Sequence, residues 1–122
     1  MKPTLTLMLS PLQNKKYRII FPSPTSSGIV RETPSDTPAY IDFGATGYYD
    51  YINYNLEFGP SVANIHRERY LARHAPREDW TNVYSAGFWS RYLLWEKRSL
   101  KSAIKNIEKM IGVNIEVAEP LN

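Results

Sequence analysis

Ala86-Gly87-Phe88-Trp89-Ser90-Arg91-Tyr92-Leu93-Leu94-Trp95 holds two of the three tryptophans of the chain and a single formal charge, Arg91. The stretch is long enough for two turns of helix, and no face of those turns is polar. Such a helix must be covered on nearly all sides. The flanking sequence is therefore expected to supply the cover, and the stretch to act as the hub of one hydrophobic core. Phe88, Trp89, Tyr92, Leu93 and Trp95 are its expected core members, with Arg91 directed along the helix edge to Asp42, Asp50 or an acidic partner.

After the hub, Ser99 is a fitting N-cap for an amphipathic helix. Leu100, Ala103, Ile104, Ile107 and Ile111 repeat with helical spacing, Lys101, Lys105 and Lys109 lie outside that stripe, and Gly112 suits the C-terminal stop. Val113 to Val117 alternates and predicts a last strand that returns to the N-terminal region. Before the hub, Ser61 is the expected cap of a helix from Val62 to His74, ended by Pro76. Ala63, Arg67, Tyr70 and His74 share one stripe of it, and Arg69 and Arg73 share another, which Arg77 continues only if the helix passes Pro76. Tyr48 to Tyr54 is aromatic and poor in charge.

The N-terminal third reads as β structure. Thr4 to Leu9 alternates, Pro11 to Lys15 supplies a turn, and Tyr17 to Phe21 is a second β-rich run, so a hairpin is expected. Residues 22–38 are rich in Ser and Pro and predict a surface loop, with Ile29-Val30-Arg31 as a short strand inside it. Ala39 to Phe43 predicts a third strand, closed by Gly44 and Gly47. The expected fold is α+β: a small, mostly antiparallel sheet made of the N-terminal hairpin, a third strand and a C-terminal strand, covered on one face by about three helices. Residues 1–122 form one domain, with 118–122 as a short tail.

Composition narrows the function. Hydrophobic content of 43% and charge of 22% are ordinary for a folded domain. The chain contains no cysteine, which excludes disulfides, thiol catalysis and Cys-ligated zinc. No apolar run reaches the ~20 residues of a membrane span, so no membrane role is expected. The net charge is +3 and the pI about 9.2. Up to Pro60 five bases balance five acids, whereas from Ser61 to Ile111 ten bases face five acids. An anionic partner is accordingly sought on the helical half.

From Tyr40 to about Ile107 the chain resembles a family of short proteins of nucleocytoplasmic large DNA viruses, African swine fever virus among them. The resemblance is carried by Tyr40-Ile41-Asp42-Phe43-Gly44-Ala45, Gly47-Tyr48 and Asp50-Tyr51, then Arg67 to His74, Trp80, Ala86 to Trp95, Lys97 and Ser99-Leu100. The link from Asn53 to Ile65 is longer here, and less charged, than the family pattern. The resemblance implies a setting in the host cytoplasm, at sites of viral replication, and in the virion. It supplies no catalytic residue.

Arginine presents a fixed fork of donors that matches phosphate oxygens, and aromatic side chains stack on unpaired bases. Arg67, Arg69, Arg73, Arg77, Arg91, Lys97, Arg98 and Lys101, with Tyr48, Tyr49 and Trp80, are therefore the expected contacts to nucleic acid or to a partner. Glu68, Glu78 and Asp79 are the acids that would pair some of these arginines on a solvated face. His66 and His74 lie too far apart to share a metal on a straight helix and, with Tyr70 on the same stripe, read as packed or hydrogen-bonded histidines beside tyrosine. Asp42 reads as a carboxylate paired with an arginine. No phosphate loop, nucleophile elbow or Ser/His/Asp pattern is present, so no catalytic residue, cofactor or metal is expected. The first expectation is a non-catalytic accessory protein of viral gene expression, binding DNA or RNA or docking on viral RNA polymerase or another large viral assembly. A structural interaction component of the virion is the second, and a metal-dependent nuclease the third.

Overall fold

A computed structural model describes residues 2–22 and 38–118. Three strands come first, β1 (Thr4–Leu9), β2 (Lys15–Ile20) and β3 (Tyr40–Ala45). The helices α1 (Tyr51–Phe58) and α2 (Pro60–His74) follow, then the short α3 (Ala86–Trp89), which runs into a π-helical turn over Ser90–Leu94. Helix α4 (Leu100–Ile111) and strand β4 (Asn114–Val117) complete the described elements. Ile29-Val30-Arg31, the expected strand of the Ser/Pro-rich loop, lies outside the described residues.

The four strands form one sheet in the order β3-β2-β1-β4. Both β1–β2 and β2–β3 are antiparallel, while β4 runs parallel to β1. The fold is the expected small α+β arrangement, with a mixed sheet and four helices among the described residues. Alternation in the strands decides the faces. Leu5, Leu7, Ile19 and Phe43 are fully buried together with Trp89, Leu93, Ala103 and Ile107 of the helices. On the other face, Arg18 and Asp42 are cross-strand partners. Arg18 Nε and Nη2 donate to the two Asp42 carboxylate oxygens at 2.9 and 3.1 Å, and Ser10 Oγ donates to the same carboxylate at 2.8 Å. The guanidinium also lies 3.8 Å from the Tyr40 ring centroid.

The hub occupies the centre of the core. Ser85 caps it, its hydroxyl accepting from Phe88 N–H. Phe88 and Leu93, and likewise Trp89 and Leu94, are five positions apart, the spacing that an i→i+5 turn brings onto one side; all four are buried. Trp89 is fully enclosed, with its indole N–H donating to Val83 O at 2.7 Å and its ring between Phe21 and Phe43. Tyr92 and Trp95 pack on the rim of this core while remaining partly exposed. In α4, Ala103 and Ile107 are the buried residues, Ser99 accepts from Ser102 N–H, and Gly112 ends the helix in the left-handed region.

Helices α1 and α2 form a hairpin. The first starts at Asp50, whose carboxylate accepts from Asn53 N–H while the Asn53 side chain accepts from Asp50 N–H, a reciprocal cap. Gly59, at a φ of 87°, turns the chain, and Pro60 opens α2. The N-cap of α2 is therefore Gly59 rather than the expected Ser61: proline at N1 moves the start of the helix back by two residues. The hairpin is fastened to the hub by stacking of Tyr70 on Trp95 at 4.4 Å and by Arg67 Nε donating to Trp95 O at 2.7 Å.

Candidate functional site

A cleft of about 540 Å³ opens where the β2–β3 end of the sheet, the start of α1, the inner side of α2 and the start of α3 meet. One wall is aromatic. The rings of His74 and Tyr70 stack at 4.3 Å, Tyr70 and Trp95 at 4.4 Å, and Tyr54 and His66 at 3.9 Å, with Tyr54 and Trp95 6.3 Å apart. All five line the cleft. The rings of His66, Tyr70 and His74 are thus joined into a ladder through Tyr54 and Trp95; His74 packs on Tyr70, as expected, whereas the tyrosine beside His66 is Tyr54 of α1. The Tyr70 phenol is pushed up to about 12, first by burial and then by the nearby Glu78 carboxylate.

The opposite wall is polar. Lys15 and Lys16 come from β2 and Tyr48, Tyr49 and Asp50 from the turn before α1. Lys16 Nζ donates to Asp50 Oδ2 at 2.8 Å, and Asp50 is buried, so this pair ties the sheet to the α1 cap. The close approach of the sheet to the hub depends on Gly44, where a Cβ would stand 2.9 Å from Leu94 Cδ1 and 3.1 Å from Lys16 Cβ.

At the end of α2, His74 Nδ1 lies 3.1 Å from Glu78 Oε2. Glu78 fits there because the neighbouring helix carries Gly87; a Cβ at that position would stand 1.8 Å from Glu78 Oε1. Arg73 completes the rim beside this dyad and is exposed. Neither Lys15 nor Arg73 has a carboxylate partner among the described residues.

The expected binding residues do not form a single face. Arg73, Tyr48 and Tyr49 are brought together at the cleft. Tyr48 is 74% exposed, and Tyr49 is held by donating its hydroxyl to Glu57. Arg67 and Arg91 are instead engaged inside the molecule: their Nη2 atoms lie 2.7 and 3.1 Å from the same oxygen, Glu96 Oε1. Arg91 was expected to reach Asp42, Asp50 or a partner. Those two aspartates are held by Arg18 and Lys16, and Glu96, five residues on from Arg91, is its partner. Arg91 also covers Trp80, at 4.6 Å from the ring centroid. Arg69, Arg77, Arg98 and Lys101 are exposed and, with the half-buried Lys97, lie outside the cleft lining. Of the three acids expected to pair the arginines, Glu78 is used by His74 and Asp79 by Thr81, while Glu68 is exposed and makes no ion pair among the described residues. Lys15, Lys16, Glu78 and Gly87 are members of the site that sequence reasoning missed. Only Glu78, one turn after His74, left a readable signal.

Among the described residues, no group of three or more acidic or imidazole side chains is placed to hold a metal ion, and no helix is long and apolar enough to cross a membrane. A family of unknown function, DUF5754, matches residues 5–54, a stretch that contains the hairpin, β3 and the capped start of α1. No curated protein and no solved structure matches the chain.

Proposed function

We propose that the protein is a non-catalytic accessory of viral gene expression that binds an unpaired nucleic-acid strand at this cleft. The observation that carries the reading is the convergence on one cleft of Lys15 and Arg73 with the exposed rings of Tyr48 and Tyr49. Cations with no carboxylate partner among the described residues attract the phosphates, and exposed rings offer surfaces on which bases stack without regard to sequence. The viral setting rests on the resemblance of the Tyr40–Ile107 blocks, and docking on viral RNA polymerase or another large viral assembly rests on that setting.

The test is fluorescence anisotropy with a labelled single strand of about a dozen nucleotides, titrated over a range of salt. Affinity should fall as salt rises, and Lys15→Ala with Arg73→Ala should reduce the log–log slope by roughly 1.4, two phosphate contacts at about 0.7 each. Absence of binding at low salt refutes the reading. A structural component of the virion is the second reading. It is favoured by Leu56, Phe58 and Ile65 of the helical hairpin, which are 81%, 53% and 52% exposed.

A further inference from the structure

His74 is the one imidazole in the cleft with a carboxylate on its Nδ1. A carboxylate only accepts, so that bond places the proton of the neutral ring on Nδ1 and leaves Nε2 as a bare acceptor. A phosphodiester also offers acceptors alone. The two cannot meet favourably until Nε2 gains a proton, and Glu78 then balances the imidazolium.

We propose that His74 is a phosphate-contacting residue of the cleft and takes up a proton from solvent at Nε2 when a phosphodiester binds, so that affinity rises as pH falls through the histidine range. This rests on the reading of the cleft as a nucleic-acid site and adds to it the residue and the proton linkage. No bond to the phosphate forms or breaks. Gly87 is part of the arrangement, since its lack of a side chain makes room for the carboxylate behind the ring.

The charges around His74 come from every wall. Arg73 precedes it on α2, and Lys15 lines the far side. Both are cations that add to the attraction of the cleft for a phosphate. Lys16 is neutralised by Asp50 at 2.8 Å. Tyr70, stacked on the ring, stays protonated across the range concerned, since its phenol is raised to about 12; the charge of Arg91 in the hub acts on that phenol in the lowering direction. A bound phosphate brings a negative charge next to the ring and so favours the imidazolium, which is the physical basis of the linkage. His66 also lines the cleft, but it lies flat on Tyr54 and has no carboxylate partner among the described residues.

The experiment uses the full chain and a labelled oligothymidylate, titrated between about pH 5.5 and pH 8 at constant ionic strength. Uptake of one proton gives an affinity gain of at most about tenfold per pH unit. His74→Gln should flatten this profile and keep the dependence on salt, Glu78→Gln should shift the rise to lower pH, and His66→Gln should keep the profile. Proton NMR of the wild-type imidazoles is the measurement independent of any variant: the His74 titration should move to higher pH on adding the oligonucleotide. Salt-dependent binding with no pH dependence, or an unmoved His74 titration, overturns the inference and leaves the binding site standing. Absence of binding at every pH overturns both.

Discussion

Replacing Glu96 by Gln keeps the shape of the side chain and removes the charge that two arginines share. Both guanidiniums converge on one oxygen, Arg67 at 2.7 Å and Arg91 at 3.1 Å, and the three side chains are 18–24% exposed. The guanidiniums stay charged against the amide oxygen, so what each bond loses is the attraction of opposite charges, up to about 1 kcal/mol for a partly exposed pair. The two guanidiniums also lose the carboxylate that offsets their mutual repulsion. Arg67 keeps its bond to Trp95 O, which limits the total to about 2 kcal/mol. At this chain length that corresponds to a fall in Tm of roughly 6–10 °C. The assay is thermal unfolding followed by circular dichroism, with urea unfolding as a second measure. Arg91→Ala should also be costly, since it uncovers Trp80 and Tyr92 as well as freeing Glu96. Lys105→Ala, at an exposed position of α4, should stay within about 0.5 kcal/mol of the wild type. A Glu96→Gln variant that melts like the Lys105→Ala control refutes the shared-carboxylate account.

Gly87→Ala should remain folded, because alanine gains up to about 1 kcal/mol of helix propensity, yet it should push the Glu78 carboxylate off His74. Melting and the His74 NMR titration check the two halves, and an unchanged His74 signal sinks the second. The Arg18 guanidinium, helped by Ser10, holds the Asp42 carboxyl below its unfolded value of 3.8. That contribution to stability is present above the unfolded value and is lost as pH falls through the folded one, so Asp42→Asn should flatten the acid limb of a stability–pH curve. Tyr70 carries the opposite sign: with its phenol raised from 10.0 to about 12, stability is intact below pH 10 and declines as pH approaches 12. Tyr70→Phe should reduce that alkaline loss, as followed by urea midpoints.

The sheet and α4 were legible because their apolar residues repeat at strand and helix periods that burial then obeys: Leu5 and Leu7 on β1, Ala103 and Ile107 on α4. Helix α1 was not, since Tyr51, Tyr54 and Phe58 read as an aromatic run and the cap uses Asn53 where Glu or Gln is the familiar signal. The π turn was hidden for a different reason. A segment apolar on every side carries no periodicity from which a wider repeat can be read. At the cleft, Arg73, Tyr48 and Tyr49 were visible as residue types suited to a nucleic acid. Arg67 and Arg91 look the same in sequence, but their inward use depends on where Glu96 falls after the π turn. Lys16 and Gly87 are members of the site only through contacts across the fold, with Asp50 and Glu78 respectively. No local pattern announces such contacts.

The parallel pairing of β4 with β1 also governs how the chain comes to be folded. Thr4 aligns with Asn114 and Leu7 with Val117, partners separated by 110 positions. Closing a loop of that length costs about 4 kcal/mol of chain entropy before any contact repays it, whereas the β1–β2 hairpin forms locally. During synthesis at roughly 5–20 residues per second, β1 waits about 5–20 seconds for its last neighbour. Over that interval one row of its backbone donors and acceptors stands open as a template for other chains. The four residues of β4 therefore act late, as a latch against self-association, and their contribution should be larger in the yield of soluble protein than in the measured free energy of unfolding.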